Sequence, residues 1–195
     1  MSAPSTGRVS LPLPGHTGCE VRSWRAGDAR SLVRHANNPN VARNLTDRFP
    51  NPYRIQDAQQ WIARARAGEA GVQFAIAIAG EAVGGIGMLP GSDIHRRSAE
   101  LGYWLGEAHW GRGIATAAVC ALTAWAFEHL DLARIQAGVL EWNPASCRVL
   151  EKAGYTLEAR LRQHATKAGV TMDEFRYVRL REEPVAGGRA GGRNS

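Results

Sequence analysis

Hydrophobic and polar residues alternate along several stretches of the chain, and the alternation predicts strands. Glu100, Gly102 and Trp104 fall on one face of an extended segment, and Leu101, Tyr103 and Leu105 on the other. This predicts a central strand from Ser98 to Leu105. Val72, Phe74, Ile76 and Ile78 likewise share a face, so Val72 to Ala79 reads as a strand. Gly80-Glu81 then offers a tight hairpin into a strand from Ala82 to Leu89. Cys19–Trp24, Arg134–Leu140, Tyr155–Leu161 and Thr171–Leu180 supply the remaining strands.

Between them the period lengthens to that of helices. Asp28 to Asn37 is bounded by Gly27-Asp28 and by Asn37-Asn38-Pro39. Ile55, Ala58, Ile62 and Ala65 mark the inner face of a helix that Gly68 stops. Gly113 to His129 is apolar nearly all round, which predicts a well-buried helix. Asn143-Pro144 starts a last helix with an N-cap and a proline at the first helical position, and Ala153-Gly154 ends it. The order β–α–α–β–β–β–α–β–α–β–β predicts an α/β (mixed α+β) fold. Its sheet is twisted and mixed, with about seven strands and helices on both faces.

Composition sets the boundaries. Residues 1–17 are rich in Pro, Ser and Gly and read as a disordered leader; residues 183–195, with Gly-Gly-Arg repeats, read as a flexible tail. Residues 18–182 form one domain, within a chain of 195 residues that is 44% hydrophobic and 22% charged. The three cysteines, Cys19, Cys120 and Cys147, are too few and too widely spaced for a disulfide framework or a metal knuckle. Cys120, amid alanines, is expected to be a small buried thiol. The sequence shows neither a signal peptide nor an apolar run long enough to span a membrane, so a cytoplasmic location is expected and membrane association is not. The net charge of +6 suits anionic ligands. The arginines are scattered and no RNA-binding aromatic motif accompanies them, so direct nucleic-acid binding is not expected.

The chemistry concentrates after the central strand, at Trp110-Gly111-Arg112-Gly113-Ile114-Ala115-Thr116. Two glycines one residue apart let backbone N–H groups converge at a helix start, where unpaired donors and the positive end of the macrodipole favour an anion. Each such contact contributes roughly 0.3–1 kcal/mol, so several on one pyrophosphate can hold a cofactor. A P-loop would need Gly-Lys-Ser/Thr, and a dinucleotide fingerprint would need glycine or alanine where Thr116 stands. By themselves, the two glycines equally suit the turn that begins any packed helix.

This loop, the strand before it and Asn143-Pro-Ala-Ser-Cys-Arg-Val-Leu-Glu-Lys-Ala-Gly-Tyr155 together resemble the GNAT superfamily of N-acetyltransferases. Asn38-Pro39, Pro50-Asn-Pro-Tyr53 and Ala99–Leu105 narrow the resemblance to the branch that acetylates ribosomal-protein serine or alanine N-termini. The resemblance covers Cys19 to Leu180. It implies acetyl-CoA as co-substrate, direct transfer to a primary amine, and no metal. Trp110 departs from the Gln or Arg usual at the first signature position, which matters little if backbone groups hold the ligand.

By resemblance, Gly111 to Thr116 cradle the pyrophosphate, backbone at Trp104 and Leu105 pairs with the pantetheine arm, and Asn143 meets that arm from the other side. Glu100 resembles the family's general base, and Ser146 the serine placed near the sulfur. The tyrosine that many members use as acid is Leu150 here. Tyr103 and Tyr155 read as core residues, and Asp173 matches a common acidic position without an assigned role. A protein N-terminus is the expected acceptor, with a small amine such as an antibiotic or polyamine as the alternative. A non-catalytic acetyl-CoA-binding module is the rival from another class. The acceptor is expected between Phe49–Tyr53 and the last strands. Sequence fixes no oligomeric state; a homodimer is one option.

Overall fold

The computed structural model describes residues 9–182. Eight strands form one sheet in the order β1-β2-β3-β4-β5-β6-β8-β7. They are β1 (Ser10–Pro12), β2 (Cys19–Ser23), β3 (Val72–Ile78), β4 (Glu81–Pro90), β5 (Ser98–Leu105), β6 (Arg134–Leu140), β7 (Thr156–Lys167) and β8 (Val170–Leu180). The helices are α1 (Ala29–Ala36), α2 (Pro39–Ala42), α3 (Ile55–Arg66), α4 (Ile114–His129) and α5 (Pro144–Lys152). All neighbouring strands are antiparallel except β5 and β6, which run parallel because α4 carries the chain across between them.

Strand alternation divides the apolar residues between two cores. Val21, Phe74, Ile76, Ile86, Leu101 and Ile135 pack with Ile114, Val119 and Leu122 of α4 and Leu150 of α5. On the opposite face, Trp24, Ala75 and Ala82 pack with Leu32 of α1 and with Ala58 and Ile62 of α3. Each large side chain so buried contributes roughly 1.5–3 kcal/mol.

A buried ion pair ties the second layer to the sheet. Arg22 of β2 is 2% exposed and grips Asp28 with both terminal nitrogens, at 2.7 and 2.8 Å. Arg22 Nη2 also donates to the carbonyl of Gly80 at 2.8 Å, in the β3–β4 turn. One guanidinium therefore fixes the start of α1 and a hairpin at once.

The structure revises several expectations. The sheet has eight strands rather than seven, because residues 10–12, assigned to the leader, form an edge strand on β2. Leu13 just beyond them is 3% exposed, so apolar burial draws this segment in. Residues 1–8 of the expected leader and the tail from 183 onward lie outside the described residues. Pro39 does not merely stop α1: the Asn38 side chain caps a further short helix, α2, by accepting from the Asn40 N–H. The β3–β4 turn is Ala79-Gly80 rather than Gly80-Glu81. Both of its residues have positive φ, +48° and +84°, as a two-residue type I′ turn requires. Ala168-Gly169 joins β7 to β8 in the same way. Cys120 is exposed, since α4 turns that position away from its core.

Breaking the Arg22–Asp28 pair from one side leaves a charge buried without its partner. Asp28→Asn is expected to lower the unfolding free energy by about 3–5 kcal/mol, read from urea denaturation midpoints at constant m-value.

Candidate active site

The site begins where two parallel strands part. β5 and β6 pair only at Ser98–Glu100 with Arg134–Gln136. Beyond that point β5 stays paired with β4 as far as Leu105, and β6 with β8 as far as Leu140. Their facing edges separate, opening a wedge inside the sheet. Interior backbone groups need partners, so the wedge suits an extended ligand with its own amides.

The register shows which backbone groups face it. The Gly106 N–H donates to the Val83 carbonyl at 2.8 Å, and the Arg97 carbonyl accepts from Ala133 at 2.8 Å on the opposite side. Backbone groups alternate along a strand, so those of Leu101, Tyr103 and Leu105 face the wedge. Those of Trp104 face β4. Trp104, where a pairing role was expected, therefore turns its backbone to β4, and Tyr103 and Leu105 turn theirs to the wedge. The Leu105 carbonyl already accepts from the indole of Trp110 at 2.7 Å. The Trp104 side chain lies in the second layer against Phe49, and a Cβ on Gly85 would sit 2.8 Å from its indole nitrogen.

At the wide end of the wedge lies the start of α4. Gly111 and Gly113 both have positive φ, +72° and +77°, so the loop needs glycine at each. No side chain caps α4, and its first backbone bond runs from Ala117 to Gly113. The N–H groups of Ile114, Ala115 and Thr116 are therefore left to a ligand or to water. Arg112 is exposed beside them. The structure brings Trp110 to Thr116 together at the start of the sixteen-residue α4, with the geometry of an anion cradle.

Across the wedge, α5 starts at Asn143, whose Oδ1 accepts from the Ser146 N–H at 3.2 Å. This cap leaves the Asn143 amide nitrogen as the group able to reach outward. Ser146 is half-buried, and its hydroxyl lies 2.7 Å from the Tyr103 hydroxyl. Leu150, one turn further, is fully buried. Tyr103 is thus no mere core residue: its phenol reaches the first turn of α5. Tyr155 does remain in the core, bonded to Thr123 at 2.8 Å.

Glu100 sits at the last paired position before the strands part, on the face opposite α4. Its carboxylate is 3.1 Å from Arg176, and the side chain is 48% exposed. Arg176 also holds Glu174 at 2.7 Å, and Glu174 leans over Gly138 of β6. A Cβ at Gly138 would lie 2.5 Å from Glu174 Oε1, so only glycine leaves that carboxylate in place. Arg176, Glu174 and Gly138 escaped the sequence reading. Their signal was the alternation of β8, which sets Glu174 and Arg176 on one face and Phe175 and Tyr177 on the other. Asp173 accepts the Gln163 N–H at 2.8 Å and an Arg160 bond, which together hold its carboxyl below the ordinary range. It anchors the irregular part of β7.

The segment from residue 38 to 49 bridges the chain beyond β5, the chain beyond β6 and the β7–β8 tip. Asn38 and Asn40 donate to Glu107 at 2.6 and 2.9 Å, lowering the pKa of that carboxyl, and Arg43 lies 5.4 Å over the Trp142 ring. Asp47 meets Lys167 of the β7–β8 tip at 2.7 Å. Among the described residues, no group of three or more His, Cys, Asp or Glu side chains could hold a metal ion.

The Acetyltransferase (GNAT) domain family matches residues 19–156, and the chain belongs to that family. It is 30% identical to the uncharacterized N-acetyltransferase p20 of Bacillus licheniformis over 169 residues, 84% of this chain and 93% of that protein. Matches to Bacillus subtilis N-acetyltransferases are shorter and span about half of those proteins' lengths. One of these, the putative ribosomal N-acetyltransferase YdaF, is 36% identical over 87 residues, 45% of this chain and 48% of that protein. Among solved structures, Mycobacterium smegmatis RimJ in complex with CoA-disulfide superposes with a TM-score of 0.77 at 25% identity. That match covers 91% of this chain and 90% of RimJ. The chain is an acetyl-CoA-dependent N-acetyltransferase of the GNAT type.

Gly113→Val puts a β-branched side chain at a φ of +77° and against His16, 3.4 Å from the new Cβ. Acetyl-CoA binding measured by calorimetry is expected to disappear, while the variant still melts cooperatively.

Proposed function

We propose that the chain acetylates a protein N-terminal α-amine, of the ribosomal-protein type, by direct transfer with Glu100 as general base. In this reading Gly111 to Thr116 hold the pyrophosphate through backbone N–H groups, with Trp110 and Arg112 flanking it. The wedge edge of β5 at Tyr103 and Leu105 pairs with the pantetheine, and Asn143 and Ser146 approach it from α5. The acceptor enters on the Glu100 face, beneath the segment from 38 to 49.

One observation carries the choice of acceptor: the carboxylates on this face are already paired. Glu100 and Glu174 share Arg176, Asp173 and Glu141 share Arg160, and Asp47 meets Lys167. A polyamine carries several cations and needs free carboxylates to hold its remote charges; a peptide needs only one amine accommodated. The amine itself points the same way. An α-amine has a pKa near ~8 and is partly neutral at physiological pH, whereas a lysine-type amine near ~10 is not. The α-amine therefore asks least of a half-exposed carboxylate. The name of YdaF, a putative ribosomal N-acetyltransferase, supports the same acceptor. An acceptor of the ribosomal-protein type places the reaction in the cytoplasm; no helix among the described residues is long and apolar enough to cross a membrane.

Thiol release from acetyl-CoA, followed across peptides with N-terminal serine or alanine and across polyamines, tests the acceptor. Peptides are expected to turn over and spermidine is not; the reverse would reassign the acceptor class. Glu100→Gln is expected to lower peptide turnover by ~10²–10⁴ with acetyl-CoA affinity nearly unchanged, from steady-state rates and calorimetry on the same preparation.

A further inference from the structure

The Tyr103–Ser146 contact joins the β5 edge of the wedge to the start of α5 on its far side. Tyr103 is half-buried, and burial pushes its phenol pKa well above the ordinary value. The phenol therefore keeps its proton throughout the working pH range. That proton has two acceptors within reach: Ser146 Oγ at 2.7 Å and the Ser146 carbonyl at 3.3 Å. The shorter contact joins two hydroxyls, and the more acidic hydroxyl, the phenol, is the better donor. Once Tyr103 donates to Ser146 Oγ, the serine proton is freed from that contact. Among the described residues Ser146 Oγ has no other hydrogen-bond partner. Its proton is left to whatever occupies the wedge.

We propose that Tyr103 is a positioning residue that orients the Ser146 hydroxyl toward the departing sulfur of acetyl-CoA. This rests on the proposed reading of the wedge as the pantetheine slot. During transfer the amine lone pair forms the C–N bond, the C–S bond breaks, and its electron pair moves to sulfur. Ser146 donates a hydrogen bond to the resulting thiolate, which takes its proton from water, and the surplus amine proton leaves through Glu100. No proton leaves Tyr103. This accounts for the absence of a tyrosine at Leu150: here a phenol works from the strand, through a serine, rather than directly from the helix.

The test is a double-mutant cycle on a confirmed acceptor. Ser146→Ala and Tyr103→Phe are each expected to lower kcat by about 10-fold, with KM for acetyl-CoA moving less than twofold. The Tyr103→Phe, Ser146→Ala double variant is expected to be no slower than either single variant. Ser146→Thr, which keeps the hydroxyl, is expected to recover most of the rate, and only while Tyr103 is present. A Tyr103→Phe rate at the wild-type level overturns the proposal, as does a double variant near 100-fold down, because the residues would then act separately. Acetyl-CoA affinity and melting temperature of each variant identify any loss due to misfolding. Failure of the broader reading looks different: Gly113→Val would then keep its acetyl-CoA affinity by calorimetry.

Discussion

Everything distinctive about the molecule follows from the short pairing of two parallel strands. A parallel pair needs a crossover, and α4 supplies it, which forces a helix to begin beside the end of β5. Three residue pairs hold β5 to β6 at one end. Each strand is then kept straight by its outer neighbour, β4 or β8, so the two cannot close again. The open edges, the uncapped helix start and the two hydroxyls at α5 all lie along this one separation.

The side-chain layers reinforce the division. The face under α4 and α5 is apolar and closely packed, while beyond β5 the opposite face gives way to charged pairs. Tyr103 and Glu100 belong to the same strand yet stand on different faces, three residues apart. In the proposed mechanism the base and the hydroxyl pair act from opposite sides of the reacting carbon, and strand alternation places them there.

Much of the fold could be read directly from the sequence. β3, β5, β6, α3, α4 and α5 announce themselves by period, caps and glycine stops, and the Gly111–Gly113 loop by its spacing. The extended part of β7 did not, because Arg162, Gln163 and His164 are polar in succession and break any alternation. Side-chain parity on β5 was legible, since it depends only on period. Backbone parity was not: whether Trp104 or Tyr103 faces the wedge depends on register with β4, a contact between distant residues. The Arg176 bridge between Glu100 and Glu174 was hidden for the same reason. So was the Tyr103–Ser146 bond, which spans 43 residues.

The wedge has a thermodynamic consequence for the whole protein. Two half-sheets joined over three residue pairs are a sheet missing a strand, and a ligand lying between them completes the ladder. Such a ligand binds only the folded chain, so occupancy adds to folding stability by mass action, about 2.7 kcal/mol at a hundred times its dissociation constant. In the proposed reading that ligand is the acetyl donor, so the stability of the fold rises with donor concentration.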